Sequence, residues 1–272
     1  MAEIFAVIGG DGRQRHLAWG LQEAGNVVRT FAVPGLPDTV GNLKDTLHLA
    51  SYVILPMPTT GADGYIQNSR NLPLTAEQIA DFLPPGTTVF AGKPGAAAAI
   101  LTRAARLEDY SAWEPLAVYN AVPTAEGAIL LAGTHMEATV QGSRFLVVGA
   151  GRIGMALAHR LHALGGKVTV SARKERDFAK ICAMGMTADV TKQYTLGLNY
   201  DCIFNTVPDR VFTPEQMRKI PENCVLIELA SAPGGFPKKE RVTDGGGLPG
   251  KMYPKTAGHL LLREILQRVH GE

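Results

Sequence analysis

Short apolar runs alternate with longer segments of helical periodicity along most of the chain. The run at residues 4–8 is followed by a glycine turn and a helical pattern over residues 15–23. The same order returns at residues 145–148, ahead of a helical pattern over residues 155–164. This alternation is typical of βα units whose strands form a parallel sheet. The pattern therefore predicts an α/β protein.

The predicted strands form two groups, which indicates two domains. The first group predicts a domain over residues 1–120, with strands at 4–8, 26–31, 52–55, 87–91 and 116–119. The second predicts a domain over residues 121–255, with strands at 145–148, 168–171, 202–205 and 225–229 and a short last strand at 252–253. We expect each domain to be a parallel, doubly wound sheet, because helical patterns separate the strands.

Two helices are expected to connect the domains. Pro123 suits the first turn of a helix, where its missing N–H is not needed, so we predict a crossover helix over residues 123–137. A closing helix over residues 256–272 is expected to pack back on the first domain. This chain path predicts a cleft between the domains, and such clefts are the usual place for small-molecule sites.

Composition and charge narrow the class of partner. The chain has 272 residues, 46% of them hydrophobic and 19% charged, with a formal net charge of +2. This balance is ordinary for globular domains and gives no indication of a nucleic acid or a membrane as partner. The three cysteines form no CxxC pair, and the first residues lack the basic region of a signal peptide. We expect a cytoplasmic protein that acts on a small molecule.

The clearest motif is GAGRIG at residues 149–154, which matches the pattern GxGxxG between a predicted strand and a predicted helix. In that context Gly149 makes a tight turn, Gly151 lets the backbone approach a pyrophosphate, and Gly154 lets the helix pack on the strand. Arg152 and Ile153 complete the turn, and the helix N-terminus attracts phosphates. The motif predicts a Rossmann domain that binds NAD or NADP.

The end of the next strand bears on which dinucleotide binds. NAD enzymes usually carry an acid there, about 20 residues after the motif. Here no acid occurs before Glu175. Ser171, Arg173 and Lys174 suit a 2′-phosphate instead, by hydroxyl donation and by positive charge. We favour NADP and leave NAD open, since the alternative is that Arg173 and Lys174 belong to a solvated basic turn.

Two later strand ends are expected to line the ribose and the nicotinamide. Ligands of open α/β sheets bind at the carboxyl ends of the strands. The residues at these ends are Thr206, Val207, Pro208, Leu229 and Ala230.

Polar residues in the first domain suit an anionic substrate. They follow the predicted strand ends or lie at the domain junction, and arginine side chains bind carboxylates with two parallel hydrogen bonds. The candidate substrate contacts are Arg13, Arg15, Thr59, Thr60, Lys93, Asn120 and Thr124. Solvent exposure of the cations and helix capping by Thr124 are the structural alternatives.

Six segments, spread over nearly the whole chain, carry a family resemblance. They are AVIGGDGRQ (6–14), YVILPMPTT (52–60), YNAVPTAEGAI (119–129), VVGAGRIGMALA (147–158), ELASAPGG (228–235) and LPGKMYPKTAG (248–258). GGDGRQ, PTAEGAI and ELASAPGG in this order are specific. Together the segments resemble the A-subunit family of bacterial dipicolinate synthases.

The resemblance implies a reaction and a partner. The implied reaction is the NADP-dependent dehydrogenation of dihydrodipicolinate to dipicolinate, which is pyridine-2,6-dicarboxylate. The implied partner is a flavoprotein-like B subunit, in the mother-cell cytoplasm of a sporulating bacterium. A general base is needed for the proton, and the candidates are His16, Asp11 and Glu126. None stands out. His16 has a suitable ordinary pKa but is equally consistent with a surface histidine near a helix start. Glu126 lies near the start of the predicted crossover helix, where a carboxylate equally serves to stabilise the helix end.

Two other functions stay open. One is a two-domain NAD(P)-dependent oxidoreductase of keto or hydroxy acids, although the chain lacks the Arg, Glu and His set of D-2-hydroxy acid dehydrogenases at recognisable positions. The other is a redox-sensing module that binds NADP(H) without catalysis. A homodimer is also open, since the pattern does not separate an interface from a core.

Overall fold

The computed structural model describes residues 2–237 and 241–271 and divides into two compact units. The N-terminal unit combines Met1–Asn120 with Pro249–Glu272, and the second unit is Ala121–Leu248. The predicted second domain extends to residue 255, whereas the observed second unit ends at Leu248. The N-terminal unit is therefore discontinuous in sequence.

The elements alternate between strand and helix in both halves of the chain. Up to residue 133 they are β1 (Ile4–Ile8), α1 (Gly12–Glu23), β2 (Val27–Phe31), α2 (Leu43–Leu47), β3 (Tyr52–Ile54), α3 (Ala76–Asp81), β4 (Thr88–Ala91), α4 (Ala97–Ala104), β5 (Arg106–Asp109), a 3-10 helix (Tyr110–Ala112) and α5 (Glu114–Gly133). The rest are β6 (Arg144–Val148), α6 (Arg152–Ala163), β7 (Lys167–Ala172), α7 (Glu175–Ala183), β8 (Thr187–Val190), β9 (Cys202–Asn205), α8 (Pro214–Lys219), β10 (Val225–Glu228), β11 (Val242–Asp244), α9 (Leu248–Met252) and α10 (Pro254–His270).

The N-terminal unit is built on a parallel sheet with the strand order β2-β1-β3-β4-β5. Strand β1 is buried on both faces, as expected where helices cover a parallel sheet: Phe5 and Val7 on one side and Ala6 and Ile8 on the other are fully buried. The strand order reverses between β1 and β3. The turn after β1 therefore lies at the point where such sheets bind ligands.

The second unit is built on a six-stranded parallel sheet in the order β11-β10-β9-β6-β7-β8. In chain order this is the doubly wound dinucleotide-binding topology, with β6 as the first strand and β9 beside it. The side chains of Phe145, Leu146, Val147 and Val148 in β6 are fully buried. The predicted fold class is confirmed: each unit is built on a parallel, doubly wound sheet, and the second unit is a Rossmann domain.

The largest departure from the sequence prediction is α5. The predicted strand at 116–119 and the predicted helix at 123–137 are replaced by one helix, Glu114–Gly133, which contains Pro123. Proline inside a helix removes one backbone hydrogen bond, whereas proline in the first turn removes none, so the local preference of Pro123 is for a helix start. The small buried residues Ala121, Ala125 and Ala128 pack this helix closely, and packing outweighs the local preference of the proline.

Four shorter elements also differ from the prediction. β5 lies in a stretch for which no strand was predicted, and α9 includes Met252, where a strand was expected. β8 and β11 were not predicted at all. Both are edge strands of four residues or fewer, so their apolar pattern is weak.

Among the described residues, α5 is the one helix long and apolar enough to cross a membrane by length and composition alone. The helix has 20 residues and a mean hydropathy of 1.2, and 44% of its 18-residue window is buried inside the protein. Core helices pass the same test, so this finding alone does not identify a membrane span.

Candidate functional site

The fingerprint glycines lie at the turn between β6 and α6. Gly149 has a φ of +105°, and a Cβ on Gly154 would lie 1.9 Å from the Gly149 carbonyl oxygen. Packing therefore requires glycine at these two positions. A Cβ on Gly151 would meet nothing within 4 Å, so the space above this residue is open. An open space over the middle glycine is what a bound pyrophosphate needs.

The N-terminus of α6 adds to this fit. Gly151 is the N-cap, no side chain caps the helix, and its first turn contains no acidic residue. Arg152, Ile153 and Gly154 form the first turn. Backbone N–H groups at such a helix end, together with the helix dipole, bind phosphate groups. These residues fit a dinucleotide.

A pocket of about 330 Å³ opens beside this turn. Its wall contains most of the residues predicted to bind cofactor, namely Gly149, Gly151, Ser171, Arg173, Lys174, Thr206, Val207 and Pro208. Thr191, Lys192, Asp177 and Asp209 also line it and were not predicted. Leu229 and Ala230 are not on this wall. Leu229 is buried, and the Ala230 N–H donates to Glu228 Oε1 at 3.0 Å.

Ser171 has a structural partner inside the wall. Its side chain is fully buried, and its Oγ lies 3.1 Å from Thr191 Oγ1. The Thr191 N–H also donates to the Ala172 carbonyl oxygen at 3.0 Å. Arg173 and Lys174 are exposed on the wall. The cations of the predicted 2′-phosphate site therefore face solvent, whereas the serine hydroxyl joins the ends of β7 and β8.

Lys192 and Asp209 form an ion pair on the same wall. Lys192 Nζ lies 3.1 Å from Asp209 Oδ2. The hydrogen bond and the charge of Lys192 hold the pKa of Asp209 below its ordinary value, and the Arg173 charge contributes in the same direction. The sequence pattern does not predict Lys192 as a pocket residue, because β8, which precedes it, has too weak a strand pattern.

A buried carboxylate organises the loop after β10. Glu228 accepts from Asn205 Nδ2 at 2.6 Å, from the Ala230 N–H at 3.0 Å and from the Gly235 N–H at 2.7 Å. Asn205 is fully buried, and 8% of Glu228 is exposed. A Cβ on Gly234 would lie 2.7 Å from Glu228 Oε2. The segment ELASAPGG is therefore folded around its own glutamate.

In the N-terminal unit, Asp11 and Arg13 hold each other. Asp11 is the N-cap of α1, and Arg13 Nε and Nη2 donate to its carboxylate at 2.8–3.1 Å. Arg13 Nη2 also donates to the Met57 carbonyl oxygen at 2.7 Å. Arg13 is 8% exposed. Two of its donor nitrogens are therefore used within the protein, although the sequence suggested a substrate carboxylate for them.

The next two candidates on α1 lie against other side chains. The Arg15 guanidinium lies 5.5 Å from the centre of the Trp19 ring. The His16 ring lies 5.1 Å from the Trp19 ring and 6.4 Å from the His259 ring of α10. Burial lowers the pKa of His16, and so do the charges of Arg15, His259 and Lys255. The lowered pKa favours the neutral imidazole, which is the form that a base needs, and the role of His16 stays a prediction.

The remaining candidates have local partners as well. Glu126 Oε1 accepts from Arg160 Nε at 3.2 Å. The Thr59 hydroxyl is fully buried near the carbonyl oxygens of Pro56 and Gly92, and Thr60 pairs with Ile66 in an isolated β-bridge. The Lys93 N–H donates to Asp109 Oδ1 at 3.1 Å. Asn120 and Thr124 lie one turn apart on α5, and Thr124 is buried. Their functional assignments stay predictions.

A second cavity, of about 450 Å³, lies beside the turn after β1. Its wall includes Gly10, Asp11, Asp63 and Gln67, and the Gly10 N–H donates to the Gln67 carbonyl oxygen at 2.7 Å. Both charged residues of the wall are acids. The predicted cations Arg13, Arg15 and Lys93 are not part of it. In residues 2–237 and 241–271, no three His, Cys, Asp or Glu side chains are placed to hold a metal ion.

Two family models match the chain, one in each unit. Residues 4–107 match the N-terminal domain of the dipicolinate synthase A subunit. Residues 124–233 match the NAD binding domain of D-isomer specific 2-hydroxyacid dehydrogenases. The second match agrees with the topology and the glycine turn of the second unit, and it identifies a nicotinamide dinucleotide as the cofactor class.

Relatives match over the full length. The chain is 29% identical to the A subunit of dipicolinate synthase from Bacillus subtilis (strain 168), over 98% of this chain and 97% of the relative. Among solved structures, the A subunit of the Bacillus halodurans dipicolinate synthase is 28% identical with a TM-score of 0.86, over 97% of each chain. The solved A subunit of the B. subtilis enzyme is also 28% identical, with a TM-score of 0.85, over 100% of this chain and 97% of that one.

A more distant structure shares the fold alone. The transhydrogenase from Sinorhizobium meliloti is 14% identical with a TM-score of 0.69, over 97% of this chain and 93% of that one. The resemblance inferred from the six sequence segments is confirmed: residues 4–107 match the N-terminal domain of dipicolinate synthase A subunits, and the chain as a whole is similar to such subunits.

Proposed function

We propose that this chain is the A subunit of a dipicolinate synthase and oxidises dihydrodipicolinate to dipicolinate with NADP. The observation that carries the proposal is the similarity to a dipicolinate synthase A subunit over 98% of the chain. The proposal includes a flavoprotein-like B subunit, which would be the partner, and the cytoplasm of the mother cell in a sporulating bacterium, which would be the location.

The reaction removes one hydride and one proton from the dihydro ring, and the ring becomes aromatic. A bound nicotinamide dinucleotide supplies the hydride acceptor. Gly151 and the N–H groups of the first turn of α6 would hold the pyrophosphate, while Arg173 and Lys174 would hold the 2′-phosphate. Thr206, Val207 and Pro208 lie at the carboxyl end of β9, where they suit the ribose.

The protein has to orient the ring and accept the proton. Aromatisation supplies driving force, so positioning is the main requirement. His16 suits the base best among the three candidates, because its lowered pKa favours the neutral imidazole, whereas Asp11 and Glu126 are each held by an arginine. For the two substrate carboxylates, the candidates that are not buried are Arg15, Thr60, Lys93 and Asn120.

An absorbance assay for dipicolinate tests the proposal. Purified chain is mixed with NADP and dihydrodipicolinate, in the presence and absence of the B subunit, and formation of the aromatic diacid is followed. We expect turnover that depends on both the nucleotide and this chain. If neither mixture forms dipicolinate faster than a control without this chain, the proposal is wrong.

The match of residues 124–233 to a 2-hydroxyacid dehydrogenase domain favours one competing function, an oxidoreductase of keto or hydroxy acids. The same assay with simple 2-keto acids and reduced nucleotide distinguishes it. Turnover of the keto acids without turnover of dihydrodipicolinate would support this alternative. Tight nucleotide binding without any turnover would support a redox-sensing module.

A further inference from the structure

Three loops of the second unit meet around the pocket of about 330 Å³. Arg173 and Lys174 follow β7, Lys192 follows β8, and Asp209 follows β9. The pocket thus has three cations on its wall, with Asp177 and Asp209 as its acids. Two of the cations were expected from the sequence as a 2′-phosphate site, and the third comes from a separate strand.

The backbone of Lys192 is fixed from two sides. On one side Thr191 is bonded to Ser171 and to Ala172, at the end of β7. On the other side Gln216 Nε2 of α8 donates to the Lys192 carbonyl oxygen at 2.6 Å. Lys192 itself has a φ of +74°, a conformation that a lysine adopts only where its surroundings impose it. These contacts hold the side chain on the pocket wall.

The ion pair between Lys192 and Asp209 is easily exchanged. The lysine side chain is 54% exposed and the aspartate side chain 63% exposed. Water and salt screen such a pair, so it adds little to stability. A ribose 2′-phosphate would carry about 1.5 to 2 negative charges at neutral pH and three acceptor oxygens, more than the single charge of a carboxylate.

We infer that Lys192 is a specificity-determining residue of the nucleotide site, which leaves Asp209 and binds the 2′-phosphate when a phosphorylated dinucleotide enters. This inference rests on the proposed NADP dependence. It adds one residue, Lys192, and states that this residue favours the 2′-phosphorylated dinucleotide. A free 2′-hydroxyl carries no charge and cannot replace the Asp209 carboxylate as the partner of Lys192. The unphosphorylated dinucleotide therefore leaves the pair intact and gains nothing from Lys192, whereas the 2′-phosphorylated dinucleotide gains a charged contact.

Asp209 opposes Lys192 in this role. With its carboxylate ionised beside Lys192 and within the field of Arg173, it competes with the phosphate for both cations. Removing its charge should release Lys192 and reduce repulsion of the phosphate. Lys192→Ala and Asp209→Asn are thus expected to change nucleotide affinity in opposite directions.

Calorimetric titration of the full-length protein tests this. The ligands are NADPH, NADH, 2′,5′-ADP and 5′-AMP, and the variants are Lys192→Ala, Asp209→Asn and Arg173→Ala. Lys219→Ala is the matched control, because Lys219 forms an equally exposed ion pair with Glu215 on α8 and lies outside the pocket. Thermal unfolding of each variant confirms that it is folded.

We expect Lys192→Ala to weaken NADPH and 2′,5′-ADP by about tenfold, the scale of one charge-assisted hydrogen bond, and to leave NADH and 5′-AMP unchanged. Asp209→Asn should tighten the two 2′-phosphorylated ligands by about threefold, and Lys219→Ala should change none of the four affinities.

Two failures are distinguishable. If the wild type prefers NADPH and Arg173→Ala removes the preference, but Lys192→Ala affects both dinucleotides equally or neither, the role of Lys192 is overturned and the NADP dependence stands. If the wild type binds NADPH no more tightly than NADH, the NADP dependence itself is overturned, and the inference with it.

Discussion

At the scale of single residues, Gly149, Gly151 and Gly154 meet different surroundings. Gly149 and Gly154 are closed in by backbone and by Thr206, whereas Gly151 faces open space with a φ of −84°. A side chain at Gly151 is therefore compatible with the fold. Because Gly151 is the N-cap of α6, an aspartate there even suits the helix, by a few tenths of a kcal/mol relative to glycine.

We predict that Gly151→Asp separates nucleotide binding from stability. The carboxylate would occupy the position of a phosphate, so affinity for both NADPH and NADH should fall by about a hundredfold or more. The midpoint of thermal unfolding should stay the same or rise. Titration calorimetry and thermal unfolding measure the two effects.

The control for this variant is Ala96→Asp, which puts the same charge on an exposed residue at the N-terminus of α4 in the other unit. It should leave nucleotide binding unchanged. Wild-type affinity in Gly151→Asp would mean that phosphates bind elsewhere, and the assignment of this turn would have to be abandoned.

At the scale of elements, the loop after β10 depends on Glu228, because both oxygens of its carboxylate accept hydrogen bonds there. We predict that Glu228→Gln lowers the free energy of unfolding by about 1–3 kcal/mol, the cost of one unsatisfied buried donor. A glutamine amide nitrogen cannot accept from the Gly235 N–H, so this amide should also exchange faster with solvent. Chemical denaturation and hydrogen exchange measure both effects.

Glu215→Gln is the matched control, since Glu215 is an exposed carboxylate on α8. It should cost little, as exposed ion pairs do. Affinity for 5′-AMP should be unchanged in both variants, because the loop is not on the wall of the pocket. Full protection of the Gly235 amide in Glu228→Gln would show that Glu228 does not hold the loop.

The elements also show how far the sequence could lead. β1 and β6 were predicted correctly because both are continuous apolar runs that end in glycine turns, and this signal is local. β8 was missed because its Asp189 is a buried carboxylate that accepts hydrogen bonds from Val190, Thr195 and Leu196, and the local pattern does not reveal these contacts. Lys192 was missed with it.

The same limit applies to the N-terminal glycine turn. The sequence predicts Arg13 to be a cation beside a glycine turn, and Arg13 lies beside that turn in the structure. Its partner Asp11 is two residues away, but the other partner is the Met57 carbonyl oxygen, 44 residues along the chain. Which groups occupy a guanidinium depends on how β1 and β3 are paired, and neither residue type nor spacing contains that information.

At the scale of the whole molecule, the chain returns to the N-terminal unit in its last segment. Leu261 and Ile265 of α10 are buried in a cluster with Phe5, Val7 and Leu17. The second unit has a separate cluster around Leu146 and Ile203. The stability of the first unit should therefore depend on the end of the chain, and that of the second should not.

We predict that Ile265→Ala lowers the free energy of unfolding of the N-terminal unit by about 2–5 kcal/mol, because it leaves a cavity at a fully buried position. Hydrogen exchange should show lost protection in β1 and α1, while β6 keeps its protection. Leu130→Ala, at a position 54% exposed on α5, should change neither. An equal loss of protection in β6 and β1 would instead mean that the two cores unfold in a single cooperative step, and the C-terminal helix would then stabilise the whole chain rather than one unit.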